Sequence, residues 1–244
     1  MRAYDRTVDF LNAVEGNDVK SVSALLENSD GIDFSVKNAF GLGVVHIAAR
    51  KGYSCIMRLF LATTHFDFNE ATVRRNAQSR SGWRPIHYTR DNETTKLLLG
   101  DIRGRVNVNA QTASGRTALY IAAYDNNPER LKLFLADGRI GVNVREHKTG
   151  YTSLHVAVYY GFLEVAKLLI ADERTDTNAA KKDNGLTPLH IAVSKGHLEV
   201  AKLLIADQRT DINAVRKDNG LTPLHIAINK HRHEIVKLLS PMRV

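Results

Sequence analysis

A single cysteine, Cys55, stands in 244 residues. It excludes an internal disulfide and, with no second sulfur, the cysteine clusters that hold structural zinc. Such usage fits a reducing compartment. No apolar run approaches 18 residues, so no membrane-spanning helix is expected. The opening MRAYDRTVDFLNAV sets Asp5 and Asp9 where a secretory leader carries its apolar segment, so no signal peptide is expected. No glycine-rich phosphate loop follows a strand pattern, and no Asp, Glu or Ser has a spacing that demands acid–base or nucleophilic work. Neither an enzyme nor a cofactor is therefore expected. Cys55, within the apolar CIMRLFLA, is expected to be packed rather than reactive. With 43% hydrophobic and 25% charged residues, the composition is that of a folded globular chain.

Charge is plentiful but lopsided. The formal net charge is +8, which favours acidic partners and says nothing about fold. Eight basic residues against three acidic ones fall between Ala71 and Arg105.

The informative presence is repetition. NGLTPLHIAVSKGHLEVAKLLIAD (residues 184–207) returns 35 positions later as NGLTPLHIAINKHRHEIVKLL. Earlier versions start at Thr152, Thr117, Arg84 and Gly43, and Phe10–Asn28 keeps the rhythm without the motif. The anchors are His46, His87, Tyr120, His155, His190 and His225, spaced 41, 33, 35, 35 and 35. Seven units are counted, and each predicts two short helices. Thr187 is placed to cap the first, Pro188 sits where a missing N–H costs nothing, and Gly196 ends it. Leu198 to Ile205 predicts the second helix, and Asn184-Gly185 and Asn219-Gly220 predict hairpin turns. Helices of about ten residues bury little alone, so the units must stack into one core. The small alanines allow close approach.

The motif G-x-T-P-L-H-x-A is plain in residues 185–192 and 220–227 and recognisable in 115–122 and 150–157. With the recurring V/I-N-A elements around Asn109, Asn143, Asn178 and Asn213, it resembles the ankyrin repeat family over about residues 5 to 240. The resemblance implies one all-α domain across residues 1–244, a solenoid of stacked helix pairs with projecting β-hairpin fingers. It also implies a scaffold that binds another protein. The third unit departs: His87 to Lys96 spans nine positions where others span twelve, and Thr63 to Trp83 is six residues longer than its counterparts. The irregular junction at about 63–105 is expected to have the lowest local stability.

A metal reading of the histidines fails on spacing, since each belongs to a different unit and zinc needs its ligands at one point. Each imidazole is expected to bond the nearby threonine and backbone, tying finger to helix. The asparagines are expected to hold the turn before each finger. The residue after each finger glycine runs Leu42, Trp83, Arg116, Tyr151, Leu186, Leu221, predicting an exposed line in which Trp83 and Tyr151 suit hot spots. A second row, late in each first helix, includes Tyr124, Tyr159, Tyr160 and Lys195. The resemblance turns that row into a concave groove, with a basic margin from Arg80, Arg90, Lys148, Lys181, Lys182, Arg216 and Lys217.

The sequence thus predicts a monomeric scaffold that contacts a partner protein, acidic around an apolar spot, through the concave face and finger tips. The alternative is a basic protein that binds nucleic acid or phosphate through the arginines at 74–105, although no nucleic-acid-reading motif is present. Since the chain starts and ends within repeats, no separate catalytic domain is expected. The phrasing A-D-x-R-x-D-x-N-A (171–179 and 206–214) is similar to ankyrin proteins of intracellular bacteria and protists. It implies an intracellular, cytoplasmic setting, including delivery into a host cell as an effector.

Overall fold

In four repeats the first helix begins at a threonine. Thr117, Thr152, Thr187 and Thr222 hold extended backbone, and each side-chain oxygen accepts the N–H three residues on. In the last three, the histidine at that third position reciprocates, its Nδ1 accepting the threonine's own N–H at 3.2–3.3 Å. This is a capping box with imidazole in place of Glu or Gln. Gly196 then stops the helix in the left-handed conformation at φ 78°, where a side chain would be strained.

The computed structural model describes residues 3–72 and 82–240. The chain divides into two compact units, residues 1–113 and 114–244. The first holds α1 (Ala3–Glu15), α2 (Val19–Glu27), α3 (Val44–Lys51), α4 (Ser54–Ala62), α5 (Pro85–Tyr88) and α6 (Asn92–Leu99). The second holds α7 (Ala118–Tyr124), α8 (Pro128–Leu135), α9 (Ser153–Tyr160), α10 (Leu163–Ala171), α11 (Pro188–Lys195), α12 (Leu198–Ala206), α13 (Pro223–Asn229) and α14 (His233–Leu239). The described residues are all-α, as the repeat pattern requires.

Within each unit, first helices pack on first helices and second on second. The rows are α1–α3–α5 and α2–α4–α6, then α7–α9–α11–α13 and α8–α10–α12–α14. Ala122, Ala157, Ala192 and Ala227 are wholly buried along the second unit's first row, where their small size lets helices approach. The first unit fills its core with rings instead. Phe60 and Phe66 lie 4.2 Å apart, and Phe10 lies 5.2 Å edge-on from Phe34.

The third repeat's first helix is short, as its spacing predicts: α5 has four residues. Polar clips fasten its surroundings. Arg84 donates from Nε to the Asn69 carbonyl (2.9 Å) and from its terminal nitrogen to that of Gln111 (2.7 Å). Arg105 reaches the carbonyls of Leu61 and Thr63, both at 2.7 Å, and covers the Phe68 ring. Phe66 and Phe68, in the stretch with least sequence regularity, are buried.

The fingers are tight turns without regular strands among the described residues; the one isolated bridge pairs Lys37 with Gly43. This corrects the β-hairpin expectation. Two backbone bonds close each neck, as when Lys181 N–H donates to Leu186 and Gly185 N–H to Lys181 (both 2.9 Å). Thr72, Gly82 and Trp83 make the same two bonds, at 2.8 and 2.9 Å. Ten residues separate Thr72 from Trp83 where four separate Lys181 from Leu186. The six extra residues therefore fall between Thr72 and Gly82 in the sequence, and residues 73–81 lie outside the described residues.

The asparagines do more than hold their own turns. Asn143 donates from its amide to the Arg174 carbonyl (2.8 Å) and accepts the Asp176 N–H (2.9 Å), one repeat ahead. Asn178 does the same to Arg209 (2.5 Å) and Asp211 (2.7 Å), and Asn69 to Arg105 and Asn107. The turn role falls to Asp176 and Asp211, whose carboxylates accept the N–H two residues on. Arginines bind in the opposite direction: Arg174 donates to the carbonyls of Leu135 (2.6 Å) and Asp137 (3.2 Å). Asp172 and Asp207 grip Arg174 and Arg209, and those hydrogen bonds hold both carboxyls below the usual range. Asn178→Ala is expected to cost about 1 kcal/mol by removing two bonds to solvent-accessible backbone groups. Asn213→Ala, at the last finger, is expected to cost only a few tenths. Urea denaturation of the two variants separates these outcomes.

Candidate functional site

The second unit gathers its tyrosines along the ends of the first helices. Tyr124 ends α7 and Tyr160 ends α9, and their rings meet edge-on at 5.7 Å. Tyr159 lies 5.1 Å from Tyr160, and Tyr151 lies 6.0 Å from Tyr159. Helix periodicity alone would send Tyr159 and Tyr160 in different directions; the ring contacts make them neighbours in one chain of four. Tyr124 and Tyr160 remain 46% and 47% exposed. A hydrogen bond with Tyr124 raises the Tyr160 hydroxyl above its ordinary range, and burial raises that of Tyr151.

Cations stand over these rings. Lys195 Nζ is 4.0 Å from the Tyr159 centroid, Lys181 Nζ is 5.2 Å from Tyr151, and the Arg116 guanidinium is 5.6 Å from Tyr124. Such contacts hold cations in place; Lys195 is exposed, whereas Lys181 also pairs with Asp183 at 3.3 Å.

Two adjoining cavities share Tyr151 and Tyr159. One, of about 350 Å³, is lined by Arg116, Tyr120, Tyr124, Lys148 and Tyr160 among others. The second, of about 240 Å³, has Leu186, Ile191, Leu221 and Ile226 as its apolar wall and Lys195 and Lys230 at its margin. Glu146 is the acidic residue of the first cavity, and it is already committed. It accepts the N–H groups of Lys148 (2.7 Å) and Thr149 (2.8 Å) and the Thr149 hydroxyl. Burial pushes its carboxyl up, but those bonds prevail and hold it below the usual range.

The remaining sequence-predicted residues scatter. Trp83 belongs to the first unit and is half-buried, 5.1 Å from Tyr88 and 5.9 Å from His87. Tyr151 is likewise half-buried, stacked on His155 at 5.3 Å. Leu42 departs from the expected exposed line: it is 2% exposed. Leu186 and Leu221 instead wall the smaller cavity. Arg90 is exposed in the first unit, and Arg80 lies outside the described residues. Lys182 and Lys217 are exposed on finger turns and line neither cavity. Arg216 lines the smaller one with its charge paired to Asp218. Ile191 and Ile226 do not stand out in the sequence, because no single repeat shows that neighbouring repeats pool their side chains. Cys55 is exposed, which corrects the packed placement: its helix buries Ile56, Met57 and Phe60 on the other face.

His155, His190 and His225 bond their threonines as predicted, while His46 and His87 have no threonine to bond. Nδ1 lies 2.8 Å from the threonine hydroxyl at His155 and at His190, while Nε2 of His87 meets the Ala110 carbonyl at 2.8 Å. Burial drives His87 and His155 down to about 4. Among the described residues no group of His, Cys, Asp or Glu is placed to hold a metal. None of their helices is long and apolar enough to cross a membrane.

No curated protein matches the chain. The family model described as ankyrin repeats (3 copies) matches residues 89–181 and 173–243, well over half of the sequence. Ankyrin repeats generally mediate protein–protein interaction. With threonine-capped helix pairs stacked in two rows and that match across most of the repeats, the chain belongs to the ankyrin repeat family.

Proposed function

We propose that this chain is a non-catalytic, monomeric binding scaffold whose partner protein lies along the tyrosine row of the second unit and the adjacent fingers. The carrying observation is the run Tyr124, Tyr160, Tyr159 and Tyr151, with Lys195 and Arg116 against it. Tyrosines supply large contact area with a polar tip, and arginines and lysines steer. An acidic partner surface matches this rim. Lys148, Lys182, Arg216 and Lys217 extend the contact to the second unit's fingers; Trp83 and Arg90 are candidate contacts of the first unit by itself.

The basic-patch alternative draws less support. Of its arginines, Arg84, Arg103 and Arg105 donate to main-chain carbonyls of their own unit. The phrasing shared with ankyrin proteins of intracellular bacteria supports action inside a host cell as an effector.

The test is affinity capture from cell lysate with nuclease, comparing the wild type with Tyr124→Ala/Tyr160→Ala and with Trp83→Ala/Tyr151→Ala, all checked for folding. A dominant protein that is lost with the first variant supports the tyrosine row. Capture abolished by nuclease or moderate salt, whichever variant is used, selects the basic-patch reading.

A further inference from the structure

The two cavities differ in chemistry, and the difference specifies what would fill them. The smaller, at about 240 Å³, falls below the ~300 Å³ at which small-molecule sites begin. Its wall of Leu186, Ile191, Leu221 and Ile226 offers no carboxylate and little polar surface. It suits one apolar side chain. Around it and its neighbour stand Lys195, Lys230 and Lys148, none with a carboxylate partner among the described residues. Glu146 stays ionised with its oxygens occupied by its own turn, so it adds one negative charge to the first cavity but forms no ion pair with these lysines.

From α7 to α13 the row makes three interhelix steps of about 8–10 Å each. Roughly eight residues of extended chain, at ~3.3 Å apiece, cover that distance. A step of one repeat then equals about three residues.

Resting on the groove reading above, we propose that the second unit recognises a linear acidic segment of a partner protein. One Leu or Ile of that segment fills the cavity between Leu186 and Ile226, and flanking carboxylates meet Lys195 and Lys230. A further carboxylate two repeats away, about six residues along the segment, meets Lys148. Apolar burial supplies the anchor; the lysines choose the flanks and reject basic sequences, because a like charge there has no counterion.

The experiment is an array of immobilised nine-residue peptides randomised over Glu, Lys, Ser, Ala, Leu and Ile, probed with the purified chain. Three variants are compared: Ser194→Trp, which fills the smaller cavity from its margin; Lys195→Glu/Lys230→Glu; and Tyr159→Ala. The wild type is expected to enrich peptides with one Leu or Ile flanked by Glu. Leu→Ala in the best peptide should weaken binding at least tenfold. Charge reversal should exchange Glu for Lys in the selected flanks; both lysines are exposed, so this variant keeps the fold even where Ser194→Trp does not. Selection of basic or uncharged flanks that is still lost with Ser194→Trp would overturn this chemistry and leave the groove as the binding face. Selection indifferent to all three variants would overturn both.

Discussion

Stability is expected to fall steeply as pH drops from about 6.5 to about 4. His87 and His155 are buried and neutral, with folded values near 4 against an unfolded value of 6.5. A depressed folded value means that the unfolded chain binds protons first, so their contribution is whole above 6.5 and is lost on the way down. Each unmatched proton is worth about 1.4 kcal/mol per pH unit, so the pair gives a slope of roughly 3 kcal/mol per pH unit. His46 and His190, also lowered by burial, act in the same direction. The structural reason is visible in the capping box: Nδ1 of His155 accepts the Thr152 N–H, and a protonated nitrogen accepts nothing. Below pH 4, Asp137, Asp172 and Asp207, held low by their arginines, continue the decline. Urea unfolding at pH 7.5, 6.5, 5.5 and 4.5 measures the slope. His155→Gln keeps a capping-box residue that does not titrate, and should remove about 1.4 kcal/mol per pH unit from it. A stability curve flat between pH 6.5 and 5 would sink this account.

Tyr124→Ala/Tyr160→Ala is expected to weaken partner binding by more than about 2 kcal/mol, roughly 30-fold, with little change in stability. Both rings are nearly half exposed; Tyr160 also meets Tyr159 and Phe162, so their removal empties the surface more than the core. Trp83→Ala/Tyr151→Ala should behave differently. Trp83 leans on Tyr88 and Tyr151 stacks on His155, and each such contact carries about 0.5–1.5 kcal/mol of its own. A lowered melting temperature is therefore expected alongside any loss of binding. Titration of the captured partner, with thermal melts of the same samples, separates the two effects. Unchanged affinity in a folded Tyr124/Tyr160 variant would remove the row from the interface.

Much of this fold is legible in the residues because ankyrin units repeat their local chemistry. Thr187, Pro188 and Gly196 each impose a backbone conformation where they stand, and α11 begins and ends accordingly. The short α5 follows from the compressed spacing between His87 and Lys96. What escapes is what one repeat does to the next. Asn69 performs the same clip as Asn143, yet Phe68 and Glu70 flank it in place of Val142 and Val144, so it does not stand out in the sequence. The cavity beside Leu186 needs side chains from Tyr151, Ile191 and Ile226, which are far apart along the chain. The exposure of Cys55 depends on which face of an apolar helix its neighbours bury, and in CIMRLFLA the pattern leaves both faces plausible.

The joints between repeats have a genetic corollary. LEVAKLLIAD occurs twice, at 163–172 and 198–207, and the bonds that follow each copy use the same atoms. Recombination between the two copies would delete 35 residues and place Asp207 directly after Ala171. Asn143 would then meet the Arg209 carbonyl and Asp211 N–H, and Arg209 would meet Leu135 and Asp137, as Arg174 does now. The shortened protein should fold, because the asparagine and arginine joints keep their chemistry, with Arg232 taking the place of His197 beside Gly161. It would lose the Ile191 side of the smaller cavity and bring Tyr151 beside Leu221, so a single crossover could exchange one recognition surface for another without an intermediate that fails to fold.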